Sequence, residues 1–323
     1  MIAQCPTELV HDDCFLALRS IAPHFAVNLK LEGFSVTGSI KVKAGAHMIQ
    51  ALEAAGTLRP GSRIIESSSG NLGLALSMIC AAKGYAFTCV SDPNISPLTE
   101  SLIKAYGAEL IIVNKRDVNG GYLETRIELI KSMIKLDSRL VWINQYENIE
   151  NVRAHRLTTA TSILKHFPNP DFIFVGAGTT GTLGGVSSEL RERAPNARII
   201  AVDSVGSVTF GGLAGKRYIP GLGTSTPPPI RRHSSFDKML MIPEVETIVM
   251  CRRLVRQGIL LGGSTGTVLA GVGRYADLIH AGACVVAISP DLGDRYADTI
   301  YNDEWVNTRF PNLLRESVPE MAN

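Results

Sequence analysis

The chain has 323 residues, of which 45% are hydrophobic and 19% charged, a globular balance with enough apolar side chains to fill a sizeable core. A formal net charge of +2 is too small to argue for nucleic acid or a membrane surface, so any anionic ligand must be held by local groups. No apolar run reaches the roughly 18 residues a membrane span needs, the six cysteines form no CxxC pair or metal spacing with histidine, and Met1 to Glu8 carries no signal-peptide pattern; reduced thiols, no metal and a cytoplasmic protein are expected.

In chain order, short apolar runs predict strands over 25–31, 63–65, 87–90, 110–113, 140–143, 172–175, 199–202, 239–242 and 284–288. Helical patterns fall between them at 44–55, 72–83, 98–106, 122–134, 152–166, 183–193, 245–257 and 268–280. Such alternation implies an α/β fold of parallel sheets flanked by helices, arranged as two lobes around a cleft. Cys80 and Cys89 lie in apolar runs and read as small core residues. Residues 206–229, with six glycines and Pro227-Pro228-Pro229, read as a long loop folded over the cleft. The tail after Phe310 is expected to be partly mobile.

Four segments carry chemistry. Gly176-Ala177-Gly178-Thr179-Thr180-Gly181 is GxGxxG between a strand and a helix, and Asp203 ends the next strand where a ribose-binding acid would stand. The same loop also carries Thr179, Thr180 and Thr182, and hydroxyls with backbone N–H groups at a helix start suit a terminal phosphate monoester. Both readings say phosphate. Glu66-Ser67-Ser68-Ser69-Gly70-Asn71-Leu72-Gly73 follows a strand and opens a helix, which makes a carboxylate cradle or a plain serine cap. Lys41, in Thr37-Gly38-Ser39-Ile40-Lys41, sits just before a helical pattern, and Gly262-Gly263-Ser264-Thr265-Gly266-Thr267 opens another. Each segment alone admits a merely structural reading.

Together and in this order they resemble the cysteine synthase / cystathionine β-synthase family, pyridoxal 5′-phosphate (PLP) enzymes with the tryptophan synthase β-like fold (fold type II), from about Phe25 to Trp305. The resemblance implies that Lys41 forms the Schiff base with PLP and that Asn71 meets the cofactor's ring hydroxyl. It implies that Gly178, Thr179, Thr180, Gly181 and Thr182 hold the phosphate and that Ser264 meets the pyridine nitrogen. It implies that Ser68, Ser69, Asn71, Leu72 and Gln145 bind the substrate α-carboxylate. A neutral hydroxyl at the ring nitrogen makes a weaker electron sink than a carboxylate partner would, which suits prompt loss of a β-substituent. Residues 1–34 and 144–323 are expected to form a large PLP-binding lobe, and residues 35–143 a smaller mobile one. Relatives of this kind are commonly homodimers.

Gly120–Arg126, Trp142–Tyr146, Asp203–Val208 and Pro290–Tyr296 are similar to one branch of the family. That branch joins O-phospho-L-serine to the amine of L-glutamate, releasing phosphate and giving a precursor of 2,3-diaminopropionate for siderophores. Arg126 is then expected at the leaving phosphate, since a guanidinium matches phosphate oxygens in a fork, with Tyr146 at a position peculiar to the branch. Arg295 is read as serving glutamate or a lid, or as an ion pair with Asp291 or Asp294. Around the lysine, Ser35-Val36-Thr37-Gly38-Ser39 and Val42-Lys43-Ala44-Gly45 depart from the family's pattern. A cysteine synthase using sulfide, or an enzyme using another amino acid as nucleophile, stays open. Lys43 is read as facing solvent, or as a charge near the cleft.

Overall fold

The structure is a computed structural model that describes residues 2–118, 120–311 and 313–316. Strands β1 (Phe15–Leu18) and β2 (Val27–Leu31) open the chain, followed by α1 (Lys41–Ala54), β3 (Arg63–Ser67), α2 (Asn71–Lys83), β4 (Ala86–Ser91), α3 (Pro97–Ala105), β5 (Glu109–Ile112), α4 (Leu123–Leu136) and β6 (Leu140–Trp142). Helix α5 (Ile149–His155) continues through a π-helical turn, Arg156–Ala160, into α6 (Thr161–His166). The rest is β7 (Phe172–Gly176), α7 (Gly181–Arg193), β8 (Arg198–Ser204), β9 (Lys238–Ile242), α8 (Glu244–Val255), α9 (Gly263–Tyr275), β10 (Val285–Ser289) and α10 (Asp303–Arg309). None of the described helices is long and apolar enough to cross a membrane.

Two sheets result. One has the order β5-β4-β3-β6 and is parallel throughout. The other has the order β1-β2-β10-β7-β8-β9 and is parallel except for β1. The chain leaves the larger sheet after β2, builds the whole smaller sheet, and returns through α5. Alternate residues of a strand face opposite sides. Phe174 and Val202 therefore pack with Val268 and Val272 of α9, while Ile173 and Val175 pack with Leu183, Val186 and Leu190 of α7. In the smaller sheet Ile64 and Cys89 face α1 and α2, and Ile65 and Val90 face Ile130 of α4. Strands covered on both faces read as continuous apolar runs, which is why the sequence shows them.

The differences from expectation have physical causes. β1 is a four-residue antiparallel edge strand that is mostly half-buried, too short to show a period. Helix α9 starts at Gly263, five residues before the pattern predicts, because glycines that weigh against a helix let it pack closely; a Cβ on Gly266 would lie 2.3 Å from the Cys251 sulfur of α8. The pattern over 152–166 is broken by the π turn. The stretch from Ser204 to the turn Pro229–His233 is a long loop, as its glycines predict, and Gly223 N–H donates to Ala177 at 2.8 Å. The tail expected to be mobile lies, from residue 317 on, outside the described residues.

Lys43 does not face solvent. Its side chain is buried, with its ammonium on Asp12 and 2.6 Å from Glu32. Lys30, also buried, lies 2.9 Å from Asp12 and 3.3 Å from Glu32. Two cations and two carboxylates thus neutralise one another and fasten α1 to β2 and to the segment before β1. Removing one partner would leave an uncompensated buried charge.

Candidate active site

The loops before α2 and α7 follow the carboxyl ends of parallel strands β3 and β7, where open α/β sheets bind ligands. Lys41 is the first residue of α1. The turn before it uses Gly38 at φ +67°, a conformation that favours glycine. Ile40 N–H donates to Pro290 at 2.8 Å, which ties the start of α1 to the loop after β10. Burial pushes the Lys41 amine down to about 8, and the Asp291 carboxylate opposes that shift. An amine in this range is available as a neutral base or nucleophile near neutral pH.

Asn71 opens α2. Its amide N–H donates to Asp291 Oδ2 at 2.8 Å, and its carbonyl accepts from Arg295. Arg295 also donates to the Thr37 carbonyl, so it serves Asn71 and the turn before Lys41 and makes no ion pair with Asp291 or Asp294 among the described contacts. Tyr296 OH donates to the same Asp291 oxygen at 2.7 Å. Ser264, in the first turn of α9, is 3% exposed and lies against Gly221; a Cβ on Gly221 would sit 2.2 Å from its Oγ.

In the loop before α2, the Ser68 hydroxyl accepts from Gly73 N–H at 2.9 Å and Gly70 N–H at 3.2 Å. These bonds help to shape the loop. The N–H groups of Asn71 and Leu72 stand at the helix start, where no intrahelical acceptor exists, and Ser69 is half-buried beside them. Gln145 donates to the Ser67 carbonyl at 2.9 Å. Buried Glu66 accepts from Ser67 N–H at 2.8 Å and Gln145 N–H at 3.2 Å, joining the ends of β3 and β6. Burial pushes its carboxyl up to about 7. Tyr146 follows, with burial raising its phenol and the Arg126 charge opposing. Arg126, on α4, is 7% exposed, yet its Nε and Nη1 have no hydrogen-bond partner. Its Nη1 is ion-paired with buried Asp92 at 3.4 Å.

The loop after β7 is a cradle. Thr180 adopts a left-handed φ of +72°, and its buried Oγ1 has no partner. A Cβ on Gly178 would meet the Gly221 carbonyl at 2.8 Å, and one on Gly181 would meet Asn151 at 2.2 Å, so both glycines are needed for close approach. Asn151 donates to Thr179 Oγ1 at 3.3 Å, and buried His155 lies 3.3 Å from Thr182 Oγ1. Burial holds that imidazole well below its ordinary value, so it is neutral. An unpaired hydroxyl at the start of a helix, pressed by glycines, fits a phosphate monoester, and Lys41 with its lowered amine fits the aldehyde of PLP. Asp203, by contrast, accepts from Ser204 N–H at 2.7 Å and is held by its own loop.

Sequence reasoning missed Glu66, Asn151, His155 and Asp291 as members of this constellation. Glu66 and Asp291 stand inside quoted motifs, but their partners are distant in the chain, and a lone histidine on a helix face reads as core.

A family profile described as "Pyridoxal-phosphate dependent enzyme" matches residues 5–291. The chain belongs to that family. It is an enzyme with PLP as cofactor and the fold type II architecture. It is 40% identical over 279 residues to N-(2-amino-2-carboxyethyl)-L-glutamate synthase of Ralstonia nicotianae, covering 86% of this chain and 82% of that one. It is 38% identical over 298 residues to the enzyme of the same name from Cupriavidus metallidurans, covering 91% and 86%. Among solved structures it is similar to O-ureido-L-serine synthase, with a TM-score of 0.86 at 30% identity over 94% of this chain and 96% of that one.

Proposed function

We propose that the enzyme catalyses β-replacement on O-phospho-L-serine with the amine of L-glutamate as nucleophile, giving N-(2-amino-2-carboxyethyl)-L-glutamate and phosphate. The observation that carries this reading is Arg126, a buried guanidinium beside Tyr146 whose ion pair with Asp92 at 3.4 Å leaves its Nε and Nη1 without a hydrogen bond. Buried N–H groups without acceptors are costly, and a departing phosphate dianion would satisfy them in a fork of charge-assisted hydrogen bonds. The names of the two synthases state the same product.

Bound PLP supplies the electron sink that acidifies the substrate α-proton and lets a β-substituent leave. Thr179, Thr180 and Thr182, with Gly178 and Gly181, would hold its phosphate, and Ser264 and Asn71 its ring. Lys41 would anchor it, and the same amine would take the proton from the substrate Cα and return it. The N–H groups of Asn71 and Leu72, with Ser69 and Gln145, would orient the α-carboxylate, while Ser68 keeps that loop in shape. Residues 35–143 would act as the mobile lobe, drawn shut by the carboxylate and excluding water. The same reading takes the enzyme as a cytoplasmic homodimer.

The test is a competition. Holoenzyme receives O-phospho-L-serine with L-glutamate, L-aspartate or sulfide, and phosphate release and product mass are recorded. Phosphate release coupled to the glutamate adduct is expected. Turnover with sulfide alone, or faster with O-acetyl-L-serine, would make the enzyme a cysteine synthase.

A further inference from the structure

Asp291 is a buried acid with half of its carboxylate unmatched. It is 1% exposed. Oδ2 accepts from both Tyr296 and Asn71, whereas Oδ1 is buried without a partner. Room for Oδ1 exists because residue 262 is glycine; a Cβ there would sit 2.0 Å away. The backbone is pinned as well. Gly262 N–H donates to the Asp291 carbonyl at 3.1 Å, and Asp291 forms an isolated bridge with Ser39, two residues before Lys41. A buried carboxylate oxygen without a donor is unfavourable, so a fold that keeps one implies a cation or ligand for it.

The charged and titratable groups around Asp291 narrow the choice. Lys41, at the start of α1, lies within electrostatic reach of it without a direct ion pair among the described contacts, and Asp294, Arg295 and Tyr296 stand in the turn that follows it. Cys251 of α8 and Tyr301 complete the surroundings. Burial keeps the Cys251 thiol, pushed up to about 12, and the two phenols neutral. Asp294 is exposed and has the wrong sign. Arg295 is engaged by Asn71 and Thr37. Lys41 is the cation that remains. Asn71 is oriented by the same set. With its carbonyl on Arg295 and one N–H on Asp291, its second N–H is what the amide can offer a ligand.

We propose that Asp291 is a positioning residue of the cofactor site: with Arg295 it fixes the Asn71 amide as a donor towards the cofactor's ring oxygen, and its free Oδ1 is the counter-charge for the nitrogen of Lys41. This rests on the reading of Lys41 and Asn71 as cofactor residues. Burial raises the Asp291 carboxyl, against the hydrogen bonds from Tyr296 and Asn71, and lowers the Lys41 amine. Each of the two charges therefore depends on the other.

The test uses PLP-loaded wild type, Asp291→Asn and Arg295→Gln. The visible band of the bound cofactor is titrated against pH, and PLP affinity is measured by equilibrium dialysis. Asp291→Asn is expected to lower the apparent pK of the band by about one unit or more, the effect of removing a close opposite charge. Arg295→Gln is expected to weaken PLP binding roughly tenfold, the scale of one hydrogen bond, with a smaller movement of the pK. An unchanged pK in a natively folded Asp291→Asn protein overturns the proposal. If that variant does not accumulate, Asp291→Ser gives the same decision. Borohydride reduction of the wild type and peptide mapping separate the two levels. A label on Lys41 with an unmoved pK overturns the Asp291 role alone, and a label on another residue overturns the cofactor reading beneath it.

Discussion

The two strand–loop–helix junctions of the site share a design and differ in how they treat their own donors. Before α2, Ser68 holds the N–H groups of Gly70 and Gly73, Asn71 is bound at both ends of its amide, and Glu66 and Gln145 lace the loop to the end of β6. Before α7, Thr180 keeps an unpartnered hydroxyl in a left-handed backbone, supported from behind by Asn151 and His155. The difference teaches how each junction is specialised. On the proposed reading, the cradle for a permanently bound phosphate is preformed, with the Thr180 hydroxyl left open. On the same reading, the loop for a transient carboxylate is held in shape by internal bonds and offers mainly the N–H groups of a helix start. Among the described residues the non-glycine positions with positive φ are Asn144 and Thr180, one beside each junction. Strain of that kind persists where surrounding structure holds it.

Removing the group between the two junctions should have the largest effect. Lys41→Ala is expected to lower phosphate release from O-phospho-L-serine by about three orders of magnitude or more, the range for loss of a positioned base, read in steady-state kinetics. Glu66 tests the lacing of the carboxylate loop. Its carboxyl has an ordinary value of 4.5 and is pushed up to about 7 by burial. The stability of its neutral form is therefore fully present below 4.5 and lost as pH rises through about 7, a change of up to roughly 3 kcal/mol. Urea midpoints of the wild type should fall between pH 5 and 8, and those of Glu66→Gln should fall less; equal falls would detach Glu66 from that pH dependence.

Arg126 tests what the carboxylate side does with the leaving group. Arg126→Ala should lower kcat/KM for O-phospho-L-serine about a hundredfold, the scale of a charge-assisted pair of hydrogen bonds, and affect O-acetyl-L-serine far less. Equal losses on both donors would make it a structural residue. Thr180 tests the preformed cradle. Thr180→Gly relieves the left-handed backbone yet removes the open hydroxyl. PLP affinity should drop about tenfold, while the apo protein gains up to about 1 kcal/mol in thermal unfolding. Retained affinity would show that the hydroxyl is dispensable.

By itself, the sequence determined most of the strands and helices in their order, the family and its cofactor, and the short motifs from which Lys41, Asn71, Ser264 and the threonine loop were picked out. Each is written locally, in an apolar run or in glycines and hydroxyls at the start of a helix, where neighbouring residues dictate the backbone. Only the tertiary structure decided the partners. It buried Lys43 in a ring of charge with Asp12, Lys30 and Glu32, turned the Ser68 hydroxyl back into its own loop, paired Arg126 with Asp92 while leaving two of its nitrogens without a hydrogen bond, and set Asp291 against Asn71 across 220 positions of chain. A charged side chain looks the same in sequence whether it meets water, a counter-ion or an empty place, because that depends on which distant strand end the fold brings beside it.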